Sequence, residues 1–286
     1  MIKIGVQLEP QYTSFAAYRR AWLALDGLGV DSLWTWDHFF PLHGPGLLRS
    51  RVAGRLRRHA APLLDRIGLR RIGAARDYDG PAFEGWTTLA ALGPLTQRAQ
   101  VGCLVLAIGY RNPALLSAMA RTLDHATGGR LILGLGAGWF ERDYREYGLP
   151  FGPASGRLRE LERGLEVIRE RWAHDSPPPV RGTIPILIGG EGERVTLRIA
   201  ARSADLWNGF GPPDRWARKN RVLDDWCRAL GRDPRAIERT AALGRWELDQ
   251  LDAYAEAGAE HLIYPLGTPF DPRPVERLLA WRERRR

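Results

Sequence analysis

The chain has 286 residues and is 44% hydrophobic, enough for one large core, and α/β barrels of this length commonly form one domain, here expected over residues 1–286. No apolar run reaches the roughly 18 residues that cross a bilayer, and the opening Ile2-Lys3-Ile4-Gly5-Val6 has no signal-peptide layout, so a cytoplasmic protein without a membrane partner is expected. The net charge of +9 comes with no zinc-finger, RNP-like or helix-turn-helix pattern, which argues against a nucleic-acid partner, and Cys103 and Cys227 show no spacing of a metal or redox motif.

Short apolar runs alternate with stretches of helical period, the pattern of repeated βα units on a parallel sheet. The first strand is expected over residues 2–8, apolar almost throughout as a strand buried on both faces should be. A helix follows over 14–28, with Ser14 as N-cap and Gly29 as stop, then a second strand over 31–36. Further along, 83–98 reads as helix, 101–106 as strand, 113–126 as a helix with Pro113 in its first turn, and 130–136 as strand. Helices are expected over 141–147 and 156–172, the latter with Leu158, Leu161, Leu165 and Ile168 as an amphipathic stripe. The remaining strands fall at 184–188, 205–208, 240–243 and 261–264, and the remaining helices at 194–203, 213–230, 246–257 and 273–282. Eight strand candidates, nearly all followed by a helix, give the count of a (β/α)8 barrel, although a doubly wound open sheet satisfies the same spacing.

The stretch Trp34-Thr35-Trp36-Asp37-His38-Phe39-Phe40-Pro41 ends the second strand in an acid and an imidazole, on the barrel edge where chemistry sits. Gly134-Leu135-Gly136-Ala137-Gly138-Trp139 ends another strand with glycines at alternate positions, which lets backbone approach a flat ligand that Trp139 could flank. In Gly189-Gly190-Glu191-Gly192-Glu193-Arg194 a strand end leads into a helix whose exposed amides, with Arg194, suit a phosphate; the two glutamates suit the helix dipole instead. Aromatic side chains near these ends (Trp36, Phe39, Phe40, Trp139, Trp207), with Glu9, Thr35, Asp37, His38 and Asn208 among them, describe a mouth for a planar ligand with a polar edge. The six histidines show no HExxH spacing, so no metal is expected, and no G-x-S-x-G elbow is present.

These stretches, together with Phe83-Glu84-Gly85-Trp86-Thr87-Thr88-Leu89, Tyr110-Arg111-Asn112-Pro113-Ala114-Leu115-Leu116 and Ala204-Asp205-Leu206-Trp207-Asn208-Gly209, resemble the luciferase-like monooxygenase superfamily, and within it the F420-dependent oxidoreductases. The resemblance implies a bacterial-luciferase-like TIM barrel that holds coenzyme F420, or FMN as in other members, at the C-terminal ends of its strands. It implies catalytic roles for Asp37 and His38, and a non-proline cis peptide at Leu104-Val105 under the cofactor ring. Trp36, Asp37, His38, Leu104, Val105, Gly136, Ala137, Gly138, Trp139, Gly189, Gly190, Glu191 and Arg194 are the expected cofactor-binding set. Trp139 stands where some relatives carry a carboxylate; Glu9 and Glu141 are its candidate substitutes.

The sequence departs from that pattern in an Arg-rich segment over residues 44–78, expected as a basic helical insertion or lid, and in shortened connections at 172–184 and 243–261. The activity implied is hydride transfer between F420 and a small organic substrate. An FMN-dependent monooxygenase and a cofactor-binding protein without turnover are the alternatives, and relatives suggest a homodimer.

Overall fold

In the computed structural model residues 1–43 and 79–285 are described; the expected insertion over 44–78 lies outside them. Strand β1 (Lys3–Leu8) is buried at most positions. Ser14 then caps α1 (Phe15–Leu28) by accepting from the Ala17 amide at 3.2 Å, and Gly29, at φ 87°, ends the helix in the left-handed conformation. Strand β2 (Ser32–Thr35) is buried throughout. Helix α2 (Gly85–Leu92) starts where the Glu84 carboxylate accepts the Trp86 and Thr87 amides. The helix expected over 83–98 is shorter because Pro94 has no amide hydrogen to continue it, and the chain tightens into a 3-10 turn at Gly93–Leu95.

The next barrel strand is split into β3 (Gln100–Cys103) and β4 (Leu106–Ala107), with a cis peptide between Leu104 and Val105, as the resemblance implied. Then follow α3 (Pro113–Ala126), capped by Asn112, and β5 (Leu131–Gly136), α4 (Glu141–Glu146), α5 (Ala154–His174) and β6 (Ile186–Gly189). The order continues with α6 (Thr196–Ser203), β7 (Leu206–Phe210), α7 (Pro213–Ala229), β8 (Glu238–Ala242), α8 (Leu251–Glu256), β9 (His261–Leu266) and α9 (Arg273–Glu283). Two expected helices are trimmed at their starts: the glycine-rich 189–192 turn delays α6 to Thr196, and α8 begins at Leu251 rather than Trp246.

The strands pair in the order β3-β2-β1-β9-β8-β7-β6-β5, every pair parallel, and β5 returns to β3. With β4 continuing β3 alongside β5, this is a closed (β/α)8 barrel, and the open sheet is excluded. Two apolar layers hold it. One lies between strands and helices, around Trp22, Trp216 and their neighbours; the other fills the barrel itself with Trp34, Ile132, Leu187, Leu206 and Ile263, against which Leu104 and Val105 pack from above. Below them a polar chain closes the opposite end. The Trp34 indole donates to Ser32 Oγ (2.6 Å), Ser32 Oγ meets His261 Nε2 (2.8 Å), and His261 Nδ1 meets Glu238 (3.0 Å). Gly5 makes room for it, since a Cβ there would stand 2.3 Å from Ser32 Oγ. Filled from within and plugged at one end, the barrel is open among the described residues at its C-terminal face, where ligands bind in folds of this kind.

Outside the barrel, Asp26 near the end of α1 accepts the amides of Gln97, Arg98 and Ala99 at 2.8, 3.3 and 3.0 Å. Burial alone would raise this carboxyl, but the three amides prevail and hold it below its ordinary value. A carboxyl depressed in the folded state stabilises fully above its unfolded value of about 4 and loses that contribution as pH falls through the folded one. Asp26→Asn is therefore expected to cost about 1–3 kcal/mol at neutral pH and to flatten the acid limb of a urea-unfolding stability curve. An unaltered acid limb would remove Asp26 from the acid response.

Candidate active site

At the C-terminal mouth lies a cavity of about 440 Å³ bordered by residues from the ends of β1, β2, β5, β6, β7 and β8 and from the β3–β4 break. Its floor is Leu104-Val105, held from one side by Gln7, whose amide donates to the Leu104 carbonyl at 2.7 Å. The Val105 side chain lies against two glycines: a Cβ on Gly136 would come within 2.7 Å of it, and one on Gly189 within 2.8 Å. The floor is flat because those two strand ends carry no side chain. Ala137, Gly138, Gly190 and Ala242 continue the low relief around it.

Polar atoms enter from two sides. Asn208, on β7 and only 5% exposed, accepts Thr240 Oγ1 at 2.7 Å through its carbonyl oxygen. Its amide nitrogen has no partner among the described residues, and the side chain borders the cavity. On the opposite side His38 follows β2 and also borders it. Its Nδ1 meets Asp143 Oδ2 at 2.7 Å. Asp143, on α4 and fully buried, also accepts the Tyr110 hydroxyl (2.7 Å) and the Phe39 amide (3.1 Å). Burial, together with this bond to Asp143, holds the Tyr110 phenol protonated, far above its ordinary value. Trp36, Trp139 and Phe140 surround the imidazole edge-on, with ring centroids 6.2, 5.5 and 5.5 Å away. Trp139 itself is 66% exposed at the rim.

Asp37, next in sequence to His38, has a different environment. It is 2% exposed and takes two parallel bonds from Arg111 (2.7 and 2.8 Å) and one from the Ala107 amide (3.2 Å). Burial pushes its carboxyl up, against the pull of Arg111. Burial would lower the guanidinium, but Asp37 and Glu84 beside it hold it above its ordinary value. Arg111 also bonds Glu84, the α2 cap, so one cation ties the β2 end, the β4 end and α2 together. Gly85 allows that approach, since a Cβ there would stand 2.0 Å from the Trp36 carbonyl oxygen.

Of the residues expected from the sequence, Asp37, His38, Leu104, Val105, Gly136, Ala137, Gly138, Trp139, Gly189 and Gly190 border the cavity. Trp36, Glu191 and Arg194 do not. The Trp36 ring stands behind His38, and Arg194 is exposed in the turn before α6. The Glu191 carboxylate accepts the Phe210 amide at 3.1 Å and pairs with Arg215, which fastens the turn after β7. Glu9 is bonded by Arg245 (2.7 Å) and Glu141 is exposed on α4; neither borders the cavity. Asp143, Tyr110 and Gln7 went unassigned in the sequence. Asp143 sits in Glu141-Arg142-Asp143, where an acid in a first helical turn is ordinary, so only the fold reveals its partner.

The luciferase-like monooxygenase family model matches residues 1–278. The chain belongs to that family. Among relatives within it, the phthiodiolone/phenolphthiodiolone dimycocerosates ketoreductase of Mycobacterium bovis is 30% identical over 296 residues, covering 88% of this chain and 71% of the relative. An F420-dependent secondary alcohol dehydrogenase, solved in complex with an F420-acetone adduct, superposes with a TM-score of 0.71 at 14% identity over 93% of this chain and 94% of its own. The oxygenating constituent of 3,6-diketocamphane monooxygenase from Pseudomonas putida, solved with FMN, gives 0.67 at 13% identity over 96% and 94%. At such identities the two structures share the luciferase-like fold with this chain. Among the described residues no helix is long and apolar enough to cross a membrane.

Proposed function

We propose that this luciferase-like monooxygenase family member is an F420-dependent oxidoreductase that exchanges a hydride with a small organic substrate at the mouth cavity. The observation that carries the reading is the cavity itself: a flat apolar floor, an amide donor on one side and an imidazole on the other. A deazaflavin ring has matching parts, two apolar faces and a polar edge, and about 440 Å³ lies within the roughly 300–1,000 Å³ usual for small-molecule sites. Leu104 and Val105 would support one face, Gly136 and Gly189 would keep that support low, and the Asn208 amide would donate to the polar edge. When bound, the deazaflavin supplies the hydride acceptor or donor; the chain supplies orientation and a proton-handling group.

That group is His38, whose two ring nitrogens let it accept a proton at one and donate at the other. Arg111 and Asp37 bond each other too fully to act on a ligand, and they hold the His38 backbone in place. Trp139 and Phe140 pack edge-on against the imidazole and restrict its rotation. The alternative cofactor is FMN, as in the diketocamphane enzyme. Titrating the purified chain with F420 and with FMN, by quenching of cofactor fluorescence and by thermal shift, distinguishes the two. F420 at a hundredfold excess over its dissociation constant is expected to stabilise the chain by about 2.7 kcal/mol. Tight FMN binding with no response to F420 would replace this reading with an FMN-dependent monooxygenase.

A further inference from the structure

We infer that Asp143 is a positioning residue that fixes His38 as its Nδ1-protonated tautomer, so that Nε2 offers its lone pair to the cavity. The geometry assigns the proton by counting donors and acceptors. Asp143 Oδ2 accepts the Tyr110 hydroxyl at 2.7 Å and lies 2.7 Å from His38 Nδ1, while Oδ1 accepts the Phe39 amide at 3.1 Å. Two of the three partners of this fully buried side chain, the Tyr110 hydroxyl and the Phe39 amide, donate to it, and a carboxylate that accepts from both has only acceptor oxygens to offer the third. The Nδ1 hydrogen is the one the imidazole must keep, because losing it would set a lone pair against a buried anion. His38 Nε2 has no hydrogen-bond partner among the described residues, and His38 borders the cavity.

This inference rests on the hydride-transfer reading for its consequence but not for its geometry. In the Nδ1-protonated tautomer Nε2 is an acceptor, so the substrate it suits carries a hydroxyl on a carbon that also bears hydrogen. His38 Nε2 would take the hydroxyl proton as the O–H bond breaks, while a bound oxidised deazaflavin would supply the acceptor for the electron pair of the C–H bond. The C–O bond becomes a carbonyl, and Asp143 stabilises the imidazolium that forms. In the opposite direction the same nitrogen returns the proton to the carbonyl oxygen. An Asp held behind a histidine acts in this way in the serine-protease triad, where loss of the carboxylate charge leaves the wrong tautomer and costs about 10⁴ in kcat.

The test needs no cofactor in its first part. Nitrogen-15 spectra of histidine-labelled protein at alkaline pH, with the signal assigned by its loss in His38→Asn, are expected to show a protonated Nδ1 and an unprotonated Nε2. An Nε2-protonated ring in the wild-type chain would overturn the assignment, whatever the variants do. In the second part, Asp143→Asn is expected to shift the ring toward the Nε2-protonated form and to lower kcat about 10²–10⁴-fold, with cofactor affinity unchanged. Tyr110→Phe, which removes a donor to Asp143 without touching the imidazole, is expected to leave the tautomer as it is. Asp143→Asn with both tautomer and kcat unchanged would end the positioning role. Failure of the chain to bind or turn over F420 would remove the hydride-transfer reading alone, since the wild-type spectrum reports the tautomer independently.

Discussion

Replacing His38 by alanine is expected to lower kcat with bound F420 by about 10²–10⁴-fold while changing cofactor affinity by less than about threefold. The asymmetry follows from where the side chain stands. The floor and the Asn208 donor come from the β3–β4 break and from β7, whereas the imidazole borders the cavity from the end of β2, opposite Asn208. Steady-state kinetics followed by deazaflavin absorbance, paired with a binding titration, separate the two quantities. A variant that turns over at the wild-type rate would show that proton transfer uses another group. One that loses cofactor binding as well would recast His38 as part of the cradle.

The largest stability effect is expected at Arg111, not at any residue touching the cavity floor. Arg111→Leu leaves Asp37 buried without its cation and removes the bridge to Glu84, a loss of about 3–5 kcal/mol for a broken buried pair. Urea unfolding measures it. The loss should depend on pH in a definite direction. Burial already raises the Asp37 carboxyl against the pull of Arg111, and without that pull it rises further. Between the unfolded and folded values the native state then binds more protons than the unfolded state, so the variant loses stability as pH rises through that window. Asp37→Asn in the Arg111→Leu background should remove this dependence. A variant as stable as wild type at pH 8 would mean that the pair contributes nothing net.

The barrel was legible because its strands are short apolar runs separated by helical periods, and Ser14, Gly29 and Pro113 mark helix ends in their own letters. Boundaries failed where a local rule met tertiary packing: Pro94 cut a helix that the apolar period carried through, and the turn at residues 189–195 delayed α6. The mouth was legible in its glycines and in His38, since a flat floor needs residues without side chains. Partnership was not. Asp37 and His38 are adjacent in sequence, yet one turns to Arg111 and the other to Asp143, 105 residues away. Glu191 and Arg194 carry the charges expected of a ligand site, but Glu191 pairs with Arg215 and Arg194 is exposed away from the cavity. A motif names the residues at a strand end; which way each side chain turns is set by helices that pack there later.

A flat redox ring is expected to lie on Val105 with His38 at its edge. A crystal structure of the chain grown with saturating F420 tests it most directly. The deazaflavin is expected in the mouth cavity, one face on Leu104-Val105, its polar edge at the Asn208 amide, and His38 Nε2 facing the substrate side of the ring. A ring bound elsewhere on the barrel, or a cavity without cofactor at saturation, would contradict it.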